Sequence, residues 1–192
     1  MQKLAKFFTD KLVQGDVIKK EDYDLYYYGF WQGSIFVLNM LTVVIVGLLF
    51  QMLWQAIVFT IAYGLLRTSA GGYHARTQGS CYIFSIAMII IVLSALKYLQ
   101  WNPVIYLSFV LLASIFIFLL APVEDSNKPL DAIEQRVYQK RSRVILIFLL
   151  LITFLFAFIG KTDIAHCLSI SIIAVAIMVV LGKIKSQQTK IR

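Results

Sequence analysis

Within the fifteen residues Arg67-Thr68-Ser69-Ala70-Gly71-Gly72-Tyr73-His74-Ala75-Arg76-Thr77-Gln78-Gly79-Ser80-Cys81 stand three glycines, one of the two histidines and one of the two cysteines. An imidazole and a thiol can form a nucleophile–base pair, the ring nitrogen drawing the proton from sulfur. Cys81 opens a long apolar run, so its sulfur is expected in the first turn of a helix, where unpaired N–H groups favour an anion. Seven residues along one straight helix would hold His74 and Cys81 about 10 Å apart, beyond hydrogen-bond reach. The pair works only if the helix starts after His74 and the chain bends at Gly71-Gly72 and Gly79. A plain alternative stands beside this: a free cysteine at a helix start often serves as a small packing residue, and an interfacial histidine is often merely solvated.

The elements that must position this segment are membrane spans. Of the 192 residues, 60% are hydrophobic and 15% charged, and the mean hydropathy is +0.80; a soluble domain is nearer half apolar and a quarter charged. No charged residue falls between Asp24 and Arg67, a stretch long enough for two spans of ~20 residues with a turn near Gln51 to Gln55. Six spans are expected near 31–49, 52–67, 81–97, 104–121, 144–160 and 164–182, within one all-α, polytopic membrane domain covering 1–192. With the N-terminus inside, sixteen of the eighteen Lys and Arg then face the cytoplasm, leaving only Lys97 and Lys161 outside. A five-span alternative puts the majority outside, against the positive-inside rule. Both termini and the loops 68–80 and 122–143 are therefore expected in the cytoplasm of a multi-pass cell-membrane protein.

Residues 1–28 carry no secretory leader pattern. Leu4, Phe7, Phe8, Leu12 and Val13 share one helical face, which predicts an amphipathic helix lying on the membrane. Tyr23, Tyr26, Tyr27, Tyr28 and Trp31 form an aromatic belt before the first span. In the 122–143 loop, Pro122 and Pro129 break helix, and Leu130, Ile133 and Val137 predict a short surface helix. The net charge of +8 is topogenic, so no nucleic-acid partner is expected. His166 and Cys167 fall at the outer end of the sixth span, about 30 Å of bilayer from His74 and Cys81, and no metal site is expected. The spans hold no Asp or Glu, the usual residues of an ion-coupled transport path. Gly29 and Gly33 form a small-xxx-small pair that would suit a homodimer.

The run Arg67 to Ala75 with Cys81 following resembles the active-site segment of the accessory gene regulator B family. Ala121-Pro122 with Asn127-Lys128-Pro129-Leu130 is similar to its central-loop segment. The family comprises membrane cysteine endopeptidases that process quorum-sensing propeptides in Gram-positive bacteria. The resemblance implies Cys81 as nucleophile and His74 as general base, with no cofactor. It also implies a short propeptide as substrate, cut near its C-terminal part and held as a thioester that an internal Cys or Ser converts to a cyclic (thio)lactone. Candidate substrate contacts are Arg67, Gly71, Gly72, Arg76, Lys128 and Pro129; the basic residues could equally be topogenic. Gln78, Ser80 and Glu124 are candidates for orienting His74, and backbone N–H groups near Ser80 for the oxyanion hole. The competing function is a small peptide or lipid transporter, with the glycines as a hinge.

Overall fold

The structure is a computed structural model that describes residues 2–73, 77–99, 102–124 and 130–191. Seven α-helices follow in order: α1 (Gln2–Gln14), α2 (Tyr23–Leu49), α3 (Leu53–Ala70), α4 (Gln78–Tyr98), α5 (Pro103–Leu120), α6 (Ala132–Phe158) and α7 (Thr162–Ile191). Among the described residues no strand forms; one isolated bridge joins Gly71 and Val123. The all-α expectation holds. The span count is less clean, because five helices are long and apolar enough to cross a membrane: α2, α4, α5, α6 and α7. Helix α3, in the position of the expected second span, is 18 residues long. Its apolar character is diluted by Gln55, Thr60, Arg67, Thr68 and Ser69. These helices make the chain a membrane protein.

The chain divides into two compact units, residues 1–45 and 46–192. In the first, Leu4, Phe7 and Phe8 of α1 are exposed while Ala5 and Thr9 are buried. The Thr9 hydroxyl spends its proton on the Ala5 carbonyl at 2.8 Å. Tyr23 donates to Asp10 at 2.8 Å, and Phe8 stacks on Phe30, so the amphipathic helix is tied to the start of α2.

The second unit is built around α7, which packs on α3, α5 and α6. Ala62, Leu66 and Ala70 of α3, Val110, Ala113 and Ile117 of α5, and Leu146 and Leu149 of α6 meet Leu168, Ile172, Val175, Ala176 and Val179 of α7. Lipid tails are as apolar as these side chains, so close fit rather than exclusion from water holds such helices together. The small residues permit that fit. Ser171 adds a cross-helix contact, donating to the Phe59 carbonyl of α3 at 3.4 Å and to Cys167 on its own helix at 2.7 Å.

Two tight turns set the topology. Between α2 and α3 the Met52 N–H reaches back to the Gly47 carbonyl at 2.8 Å, and Gln51 takes a positive φ of 59°, close to the turn expected from the charge-free run. Between α6 and α7, Gly160 adopts φ 76° and Lys161 N–H bonds the Phe156 carbonyl at 2.9 Å.

Helix α6 departs from the sequence reading. The expected surface helix and fifth span are one continuous helix, started by a capping box in which Asp131 accepts from Ile133 and Glu134 N–H while Glu134 reaches back to Asp131 N–H. Nothing helix-breaking lies between Leu130 and the apolar run, so a helix once nucleated at Asp131 propagates through it.

Candidate functional site

The site begins where α3 stops. Gly71 and Gly72 take φ of 68° and 125°, a region that L side chains rarely adopt. The space is as restrictive as the dihedrals: a Cβ on Gly71 would run into the Val123 carbonyl, and one on Gly72 would lie 2.7 Å from the Met178 carbonyl oxygen. Backbone bonds close the turn from both sides. Val123 N–H donates to the Ala70 carbonyl at 2.9 Å, and Tyr73 N–H donates to the Met178 carbonyl of α7 at 2.8 Å. Arg67 adds a third tie, its Nη2 donating to the Tyr73 carbonyl at 2.6 Å. From the α7 side, Gly182 makes room; a Cβ there would sit 2.5 Å from Tyr73 N and would overlap the Gly72 carbonyl carbon. The turn is thus clamped between α7 and the segment after α5.

Helix α4 starts with Thr77 as N-cap, its side chain accepting from Ser80 N–H at 3.2 Å. Cys81 lies in the first turn and is exposed; its N–H donates to the Thr77 carbonyl at 3.0 Å. Ser85, one turn on, donates to the Cys81 carbonyl at 3.1 Å. The Tyr73 ring rests against Phe84 of α4, centroids 5.6 Å apart, with the Lys185 ammonium over it at 5.1 Å.

Between these elements opens a cavity of about 460 Å³, with Cys81, Arg67, Tyr63, Glu124, Tyr138 and Met178 among its lining residues. The lining mixes apolar Phe84, Met88, Leu130 and Met178 with polar Tyr63, Arg67 and Glu124. An exposed thiol at a helix start, beside a mixed apolar and polar cleft, can attack a carbonyl presented there.

The sequence signature of the Accessory gene regulator B family matches residues 3–179, nearly the whole chain. This chain belongs to the Accessory gene regulator B family. It is 27% identical to an AgrB-like protein of Clostridium acetobutylicum over 153 residues, 79% of this chain and 72% of that one. It is 22% identical to an AgrB-like protein of Clostridium perfringens strain SM101 over 148 residues, 73% of this chain and 69% of the relative. No solved structure matches the chain. Membership gives the chain an accessory gene regulator role in quorum sensing.

Cys81, Arg67, Gly71 and Glu124 come together around one cavity, and Gly72 lies in the turn behind it. His74, Arg76, Lys128 and Pro129 lie outside the described residues. The helix start, however, meets the condition set by spacing: α4 begins at Gln78, after His74, and Tyr73, directly before His74, lines the cavity with Cys81. Gly79 is helical and faces open space, so the bend uses Gly71 and Gly72 without it. Ser80 shares its hydroxyl with Thr77 at 2.8 Å. Of the expected oxyanion donors near Ser80, the N–H groups of Ser80 and Cys81 both bond Thr77.

His166 and Cys167 sit at the other end of α7. Cys167 is eleven residues, about 16 Å of helix rise, before Met178, and it is fully buried. Sequence reasoning passed over Tyr63, Tyr138, Met178 and Gly182. Tyr63 carried a signal, since it stands one helical turn before Arg67 and shares its face. Gly182 carried another, as the lone glycine at the end of the last apolar run.

Proposed function

We propose that this chain is a membrane-embedded cysteine endopeptidase that cuts a short quorum-sensing propeptide near its C-terminal part, with Cys81 as nucleophile and His74 as general base. The observation that carries the proposal is the cavity shared by exposed Cys81, Arg67 and Tyr73, the residue that leads directly into His74. In this reading the imidazole takes the thiol proton and the sulfur adds to the scissile carbonyl. The tetrahedral intermediate then collapses as the imidazolium protonates the departing amine. The N-terminal part of the propeptide remains as a thioester on Cys81. An internal thiol or hydroxyl of the peptide attacks that carbonyl, releases Cys81 and closes a thiolactone or lactone. Exchange between thioesters is nearly isoenergetic, and a cleft at the membrane limits competing water.

Orientation is read from the charge pattern: Lys and Arg concentrate in the loops and tails expected inside, which supports cytoplasmic termini and a cytoplasmic site in a Gram-positive cell membrane. Arg67, Gly71, Gly72, Arg76, Lys128 and Pro129 are proposed to contact the propeptide or shape its cleft. Lipid is the second partner, and a homodimer is compatible with the Gly29/Gly33 pair. The transporter reading needs the glycine turn as a hinge. Three tight approaches and three hydrogen bonds hold that turn, which favours a fixed site.

The test is cleavage, by the protein reconstituted in vesicles, of a short peptide with an amphipathic start, an internal Cys or Ser and a charged tail, sought among the reading frames beside this chain's gene. Mass spectrometry should find the N-terminal fragment on Cys81, and Cys81→Ala and His74→Ala should each abolish the cut. A Cys81→Ala protein that still cleaves sinks the reading.

A further inference from the structure

We propose that the Tyr63 hydroxyl is the oxyanion donor of this site, held in place by Arg67; the inference rests on the endopeptidase reading. Acyl transfer by a thiol drives the carbonyl π pair onto oxygen, and a positioned donor must meet that charge. The common solution, the nucleophile's own N–H and a neighbouring one, is spent here. Cys81 N–H bonds the Thr77 carbonyl and Ser80 N–H bonds the Thr77 hydroxyl oxygen. Two cavity hydroxyls are also committed, Ser85 to the Cys81 carbonyl and Thr68 to the Leu65 carbonyl at 3.0 Å.

Tyr63 remains. It lines the same cavity as Cys81 and Arg67, and both the Arg67 side chain and the Cys81 thiol act on its phenol electrostatically. A guanidinium has donors only, so a phenol beside it can meet Arg67 only as an acceptor, and the phenol's own proton stays available for a second partner. Arg67 is itself pinned by the Tyr73 carbonyl at 2.6 Å, and Tyr63 is braced by Phe59, stacked at 5.5 Å between centroids. A donor braced before the reaction costs little reorganisation when charge develops.

The step balances without a further reactant. The Cys81 sulfur anion bonds the carbonyl carbon, and the π pair moves to oxygen and receives the Tyr63 hydrogen bond. On collapse the C=O re-forms, the bond to the leaving group breaks, and the leaving group departs with the pair.

The experiment compares two reactions of one thiol in the full-length protein in detergent. p-Nitrophenyl butyrate acylates Cys81 through an oxyanion and is read as a burst of p-nitrophenolate. Iodoacetamide alkylates the same sulfur by displacement, with no oxyanion. Tyr63→Phe should slow the acylation burst about 100-fold and leave the alkylation rate within about threefold, whereas Ser108→Ala, whose hydroxyl bonds its own helix away from the cavity, should leave both unchanged.

Equal slowing of both reactions, or an undiminished burst, overturns the proposal, as does a burst lost in Ser108→Ala but kept in Tyr63→Phe. If Tyr63→Phe does not accumulate in the membrane, 3,5-difluorotyrosine at 63 decides. The burst rate should follow the stronger donor, and a rate that ignores the fluorines overturns the assignment. A burst that persists in Cys81→Ala marks failure of the endopeptidase reading itself.

Discussion

Gly182→Ala and Gly64→Ala are the same substitution in the same kind of element, and the structure assigns them opposite signs. Both glycines are helical. A Cβ at Gly64 meets nothing within 4 Å, whereas one at Gly182 lands 2.5 Å from Tyr73 N and 2.7 Å from Gly72 Cα, against 3.4 Å for the near edge of ordinary contact. The obstacle is backbone, so the turn must withdraw by nearly an ångström. That displacement stretches the 2.8 Å bond from Tyr73 N–H to the Met178 carbonyl beyond useful range. An unmade backbone bond in a site poor in water costs about 1–3 kcal/mol, and alanine's better helix propensity returns at most about 1 kcal/mol. Gly182→Ala should therefore lose about 1–2 kcal/mol, a fall of roughly 2–8 °C in Tm, together with most propeptide cleavage. Gly64→Ala should gain up to about 1 kcal/mol and keep full activity. Thermal unfolding in detergent, followed by circular dichroism, reads both. A Gly182→Ala protein as stable and active as the parent would refute the clamped turn.

The two cysteines differ enough in exposure to serve as mutual controls. A maleimide should label Cys81 at least about 100-fold faster than buried Cys167 in the folded protein, with the difference vanishing in denaturant; peptide mapping reads the ratio. Thr77→Ala removes the cap of α4 and should cost about 1 kcal/mol locally, seen as faster hydrogen exchange over 78–82 with little change elsewhere. Arg67→Lys keeps the charge but loses the planar fork that reaches the Tyr73 carbonyl beside Tyr63. Cleavage should fall at least about tenfold while membrane insertion, read by protease protection, is unchanged. Asp131→Ala breaks the capping box and should melt the first turn of α6, raising proteolysis near 130–134 without abolishing the span.

What the sequence made legible follows from how far each signal reaches along the chain. The helices were readable because lipid demands long apolar runs and the positive residues between them mark sides. The cleft around Cys81 was partly readable, since a histidine, a cysteine and paired glycines crowd one short segment. Two boundaries misled. The Leu130–Val137 pattern was read apart from the following span because charged residues interrupt the apolar run, yet charge does not break a helix, and the Asp131–Glu134 capping box carries α6 through. The reach of α3 was easier to place than its standing as a span, because its last turn is polar.

The partners of the glycine turn were hidden for a different reason. Gly71 and Gly72 advertise a bend, but Val123 and Met178, which make glycine obligatory there, are about 50 and 105 residues away and apolar like their neighbours. The same holds for Tyr63. Nothing separates it from an interfacial aromatic until α4 returns beside α3 and sets a thiol in the same cleft. Glycines that look like a hinge in one dimension become a weld in three, because the freedom that lets such a residue bend is also what lets two backbones touch. At this site the second use prevails: contact between the turn, α7 and the segment after α5 fixes where Tyr73 sits.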